Sequence, residues 1–143
     1  MQWYVYLLAV AATGAFGWFA IEFLGRPIRK FFELRRLVRH QILLANVSAP
    51  QARETCVTSE QIKRYDIDLK NSREAQRILR ELGSHLLAFG ESEPAACIVI
   101  KPFGFDPFIA GRNLIGLSNT LDRYGTDRAT FRKNVEKALQ FTS

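Results

Sequence analysis

The chain has 143 residues, a formal charge of +6 and a mean hydropathy of -0.07. That length suits one compact domain, less whatever the apolar N-terminus removes from it. Cys56 and Cys97 stand alone, which excludes a disulfide framework and a paired metal-ligand spacing, and reduced thiols are expected.

The near-neutral hydropathy hides a split. Residues 2–24 read QWYVYLLAVAATGAFGWFAIEFL, with Glu22 as the single charge. At about 1.5 Å per residue such a helix is long enough for a ~30 Å hydrocarbon core, so residues 1–25 are expected to be a transmembrane anchor. Trp3, Tyr4 and Tyr6 form an outer aromatic belt, and Trp18, Phe19 and Phe23 lie toward the other end. A cleaved signal peptide carries its positive charge before the apolar run, whereas here it follows. A buried core helix competes less well, because soluble helices rarely run this long without a polar face. Charge asymmetry places the N-terminus outside and the remainder in the cytoplasm, in a single-pass protein of the inner (plasma) membrane.

Ala9, Thr13 and Gly17 repeat at four-residue spacing on one face. Small residues in such a row let helices approach closely in lipid, which predicts a homo-oligomer or docking onto a larger membrane complex. The competing reading is that Ala and Gly are simply common in membrane spans. Glu22 is expected at the interface, paired with Arg26.

Residues 26–46 form a basic juxtamembrane helix. Gly25 and Pro27 are expected to break or kink the chain, with Pro27 in the first turn of a new helix. Arg26, Arg29, Lys30, Arg35, Arg36 and Arg39 face one acid, Glu33. Beside an apolar span, these cations point to anionic lipid headgroups and to topology. The apolar side of residues 28–34, including Phe31 and Phe32, is expected near the headgroups. Residues 38–44 are expected to cover the following domain. His40 and His85 are isolated and read as surface residues.

Residues 47–70 look linker-like, with a short helix near 59–64 capped by Ser59. Residues 71–143 read as a helical cytoplasmic domain. Asn71 and Glu74 resemble a capping box, the helix they open carries apolar residues through Phe89, and Gly90 ends it. Residues 96–100 fit a strand or a short buried helix, and the helix is preferred because no second strand is convincing. Asp106-Pro107 is a cap followed by proline at the first helical position. Gly116 inside that helix suggests a close crossing, Asn119 a helix end or a backbone contact, Tyr124-Gly125 a turn, and Asp127 a cap for the last helix. The fold class expected is therefore all-α.

The fragments LIGLSNTLDRYG and REAQRILRELGSHLLAF resemble uncharacterised small bacterial single-pass membrane proteins with a C-terminal helical domain. The resemblance implies the same architecture and brings no activity with it.

No P-loop, dinucleotide GxGxxG, HExxH, paired CxxC or GxSxG nucleophile elbow is present, so no catalytic, metal or cofactor residue is assigned and an enzyme is not expected. The isoelectric point near 9.7 raises nucleic acid as a partner. Beyond residue 46, however, the charges nearly balance and the arginines are dispersed, which disfavours it. Two readings remain. One is a membrane-anchored interaction or scaffold protein. The other is an accessory structural subunit of a larger membrane assembly.

Overall fold

The computed structural model describes residues 3–44, 58–121 and 126–141, without the side chains of Val5, Leu8, Ala9 and Ala20. The described residues are all-helical, with no strand among them. Helix α1 spans Trp3–Ala20 and passes through a π-helical turn, Ile21–Gly25, directly into α2, Arg26–Leu44. Helix α3 covers Ser59–Ser92, α4 Pro94–Ile100 with a 3-10 turn at Lys101–Phe103, α5 Pro107–Ser118, and α6 Thr126–Ala138.

The expected break at Pro27 is replaced by the π turn. A proline ring inside a helix clashes with the carbonyl four residues earlier and removes one hydrogen bond. An extra residue in the turn before Pro27 widens the backbone there and absorbs the misfit without interrupting the helix. Pro27 itself is buried.

Helix α2 carries one apolar stripe along its length: Phe31, Leu34, Val38 and Ile42 are all in the core. This corrects the expected placement of Phe31 at lipid headgroups. Its ring is 0% exposed and lies 5.7 Å from that of Phe89 on α3. Its neighbour Phe32 is partly exposed.

Residues 59–70 are not a linker but the N-terminal part of α3. The operative capping box is Thr58 with Gln61, not Asn71 with Glu74. Gln61 N donates to Thr58 Oγ1 and Thr58 N to Gln61 Oε1. Ser59 is the first helical residue and not the cap. Gly90 does not end α3, which runs on to Ser92. Helix α4 is helical, as preferred over a strand. It ends at Ile100, and the 3-10 turn after it is closed by Gly104 at φ 83°. Asp106 caps α5 as expected, accepting from Ile109 N at 2.9 Å. Residues 45–57 and 122–125 lie outside the described residues, and with them Cys56, the end of the basic helix and the Tyr124-Gly125 turn.

The bundle is organised around α5, which packs between α3 and α6, while α2 lies against α3. Glycines set the distances. A Cβ on Gly111 would stand 2.8 Å from the Gly83 carbonyl oxygen, and one on Gly83 would stand 2.9 Å from the Gly111 oxygen. The α3 and α5 backbones therefore touch at that crossing. Gly116 meets the Phe131 ring of α6 in the same way, which places the close crossing expected there. Beside these contacts lie Leu79, Leu82, Leu86, Ala110, Leu114 and Val135, all in the core. Asn119 closes α5 through its N–H to Ile115 O and accepts from Arg80 Nη2 at 2.7 Å.

Helix α1 stands apart from this bundle, and its contacts run to the π turn. Among the described residues no helix is long and apolar enough to cross a membrane.

Gly111→Ala forces the two backbones apart. It is expected to lower the unfolding free energy by about 1–3 kcal/mol, despite the ~1 kcal/mol by which Ala exceeds Gly in a helix interior. Denaturant unfolding followed by circular dichroism in mild detergent measures this. Gly14→Ala is the control, because its Cβ meets nothing within 4 Å.

Candidate functional site

The junction of α1 with the bundle gathers the charged residues singled out in the sequence. The π turn holds Glu22 one helical step before Arg26, and the two form an ion pair. Arg26 is exposed and Glu22 partly so, and an ion pair open to solvent contributes little to stability. Phe23, Pro27, Lys30 and Glu93 complete an open recess around them, of about 460 Å³. Glu93 precedes Pro94, the first residue of α4. The α1 exit, the start of α2 and the start of α4 therefore meet at one place.

Five of the six juxtamembrane cations, Arg26, Arg29, Lys30, Arg36 and Arg39, are exposed. Arg35 differs. Its Nε donates to Leu139 O at 2.7 Å and its Nη2 to Gln140 O at 2.8 Å. The guanidinium also lies over the rings of Phe105 and Phe141. Those carbonyls sit just past the C-terminus of α6. There the N–H groups of Gln140 and Phe141 bond back to Lys137 O and Glu136 O around Gln140 in a left-handed conformation (φ 51°). This is the Schellman arrangement, and a cation on the remaining carbonyls favours the negative end of a helix. Burial, with a smaller contribution from Arg39, draws the Arg35 pKa down from its ordinary value. Arg35 thus ties α2 to the end of α6.

The remaining chemistry is sparse. Among the described residues no group of three or more His, Cys, Asp and Glu side chains is gathered as a metal site. His40 and His85 are exposed on α2 and α3. Burial pushes the Cys97 thiol pKa up, and the charges of Asp106 and Glu93 add to it, which keeps the thiol protonated and poorly nucleophilic at neutral pH.

On α1, Trp3, Tyr4 and Tyr6 are exposed, with the Trp3 and Tyr4 rings in contact. Thr13 and Gly17 are exposed, and a Cβ on Gly17 meets nothing within 4 Å; the Ala9 side chain lies outside the description. Large apolar side chains are exposed right around this helix, Leu7, Val10, Phe16, Trp18 and Phe19 among them.

Sequence reasoning missed a second apolar surface. The sequence predicts a buried α4, yet only Ala96 and Ile100 enter the core, with Cys97 partly covered. Ile98, Val99 and Phe103 point outward. The available signal was helical geometry: a one-turn-apart pair such as 96 and 100 occupies one face, and the apolar residues between them must lie on another.

No family model matches this chain, and no curated protein or solved structure is detectably similar to it.

Arg35→Gln leaves the α6 carbonyls without their charged donor. It is expected to cost about 1–3 kcal/mol of stability, whereas Arg36→Gln, equal in charge change but exposed, stays within about 0.5 kcal/mol. Parallel thermal and denaturant unfolding of the two variants checks this.

Proposed function

We propose that this chain is a membrane-anchored, non-enzymatic interaction protein, with α1 in lipid and the bundle held at the bilayer surface. The observation that carries the reading is the exposure of α1. An 18-residue helix rich in Val, Leu, Phe and Trp exposes apolar side chains on every side, with no polar face. Exposed apolar surface of that extent is costly in water and is matched by hydrocarbon.

Length is the point of tension. Alone, α1 measures about 27 Å at 1.5 Å per residue, against a hydrocarbon core of ~30 Å. The π turn adds Ile21, Phe23 and Leu24 before Arg26. The apolar rod then ends in exposed cations, as positive charge on the cytoplasmic side requires. This supports an orientation with the N-terminus outside and the bundle in the cytoplasm. The cations at the junction suit anionic headgroups. The row Ala9, Thr13 and Gly17 supplies a face for association with a second copy or with a larger membrane complex. The bundle, without a gathered catalytic set among its described residues, serves this reading as a module for protein partners.

A charge at the middle of α1 tests the anchor. Ala12→Arg introduces a penalty of roughly 2.5–3.5 kcal/mol at a span centre. It is expected to shift the full-length protein out of the carbonate-resistant membrane fraction. Retention equal to wild type overturns the anchor. The association face has a separate test. Gly17 is exposed and a Cβ there meets nothing within 4 Å, so a loss of cross-linked oligomer in Gly17→Leu reports on contact between helices. Unchanged cross-linking removes the row as an interface. Large membrane subunits co-purifying in mild detergent favour the accessory-subunit alternative, and a self-assembled species alone favours the scaffold.

A further inference from the structure

Two recesses meet at Lys30. One is the junction recess described above, beside Phe23 where α1 leaves the bundle. The other, of about 310 Å³, lies on the seam between α2 and α3 and is lined by Lys30, Leu34, His85, Ala88, Phe89 and Ser92. The two helices are held together at this level by their apolar side chains. The Phe31 and Phe89 rings lie 5.7 Å apart, and Leu34 is buried beside them in the same core. His85 and Ser92 are two turns apart, so they share one face of α3.

The lining of this second recess is chemically one-sided. Leu34, Ala88 and Phe89 are apolar, and the polar groups are an ammonium, an imidazole and a hydroxyl, with no carboxylate among them. Lys30, His85 and Ser92 enter no ion pair and no side-chain hydrogen bond among the described residues. The nearby acids are placed elsewhere. Glu22 is paired with Arg26, Glu81 lies against Arg77, and Glu93 lines the junction recess. An anion on Lys30 is therefore repelled from the Glu93 side and favoured on the His85 side. Three unengaged donors around an apolar lining suit a phosphate carried by an amphiphile. Free phosphate shares that chemistry but gains nothing from Leu34, Ala88 and Phe89. The place also favours a lipid, because basic pockets beside a membrane helix on its cytoplasmic side hold phospholipid headgroups.

We propose that the recess between α2 and α3 holds the headgroup of an anionic phospholipid, its phosphate on Lys30 and its polar end beside His85 and Ser92. The proposal rests on the anchor reading above. It deepens that reading from diffuse attraction between cations and a bilayer to one lipid taken at a defined place.

The test uses the full chain in mild detergent, supplied with phosphatidylglycerol or phosphatidylcholine, with retained lipid counted by native mass spectrometry. Lys30, His85 and Ser92 are all exposed, and circular dichroism confirms that each variant keeps its helix content. Wild type is expected to retain phosphatidylglycerol several-fold more than phosphatidylcholine. Lys30→Gln and His85→Ala are each expected to lower that retention several-fold, and Arg29→Gln, with the same charge change as Lys30→Gln, to lower it much less. Equal losses in Lys30→Gln and Arg29→Gln, or no loss in His85→Ala, report diffuse charge attraction and overturn the site. Release of the lipid by excess inorganic phosphate overturns the lipid in favour of a free anion. Flotation of the unmodified chain with phosphatidylglycerol vesicles reads the anchor separately. A chain that floats while either overturning result is obtained keeps its anchor and loses this site, and a chain that fails to float loses both.

Discussion

The bundle depends on the place where α3 and α5 touch backbone to backbone. Gly83 and Gly111 each stand opposite the other's carbonyl, so neither position has room for even one methyl group without movement of a helix. Close interhelical approach has a general effect: it brings the flanking side chains of both helices into full contact and shortens the distance across the core. Leu79, Leu86 and Leu114, all essentially without solvent exposure, pack beside that crossing. Helix α6 closes on the opposite side of α5, where Gly116 receives Phe131. Helix α5 can thus be central although it is short, because both of its neighbours reach its backbone.

Arg35 performs at the periphery what the glycines perform inside. The end of α6 is a set of carbonyls with no helical donors of their own. The local Schellman bonds satisfy some of them, and Arg35 takes two of the others from a helix distant in sequence. Asp106 N adds a bond to Ala138 O, so the loop before α5 is drawn to the same place. The loop, α2 and the end of α6 are therefore fastened together, with the rings of Phe105 and Phe141 lying beside the guanidinium.

Local signals were legible where the physics is local. Asp106 and Pro107 start α5 because a side-chain acceptor and a preset φ act within one turn. Gly116 marked a crossing because a helix tolerates glycine poorly without a packing reason. The start of α3 was not legible, because Asn71 with Glu74 has the same spacing as Thr58 with Gln61 and neither pattern states which one a longer helix uses. The role of Arg35 could not be separated from that of Arg36 or Arg39 either. All three lie in one basic run, and only the arrival of α6, more than a hundred residues later, distinguishes them. The apolar stretch of α4 misled for a related reason. Apolar composition reports an affinity for non-aqueous surroundings, and it does not say whether those surroundings are the protein's own core.

The π turn has a consequence for mechanics. Helix α1 and helix α2 form one shaft, since helical residues run from Trp3 to Leu44 with no non-helical joint between them. A helix unbroken through the turn sets the direction of the second part relative to the first, which a flexible linker would leave free. The extra residue in the turn offsets the azimuth of α2 relative to α1, and Arg35 and the α2 stripe then carry that setting into the bundle. If several copies gather through their apolar helices, the bearing of each bundle around the common axis is set by the shaft. The faces they present outward are then the same in every copy.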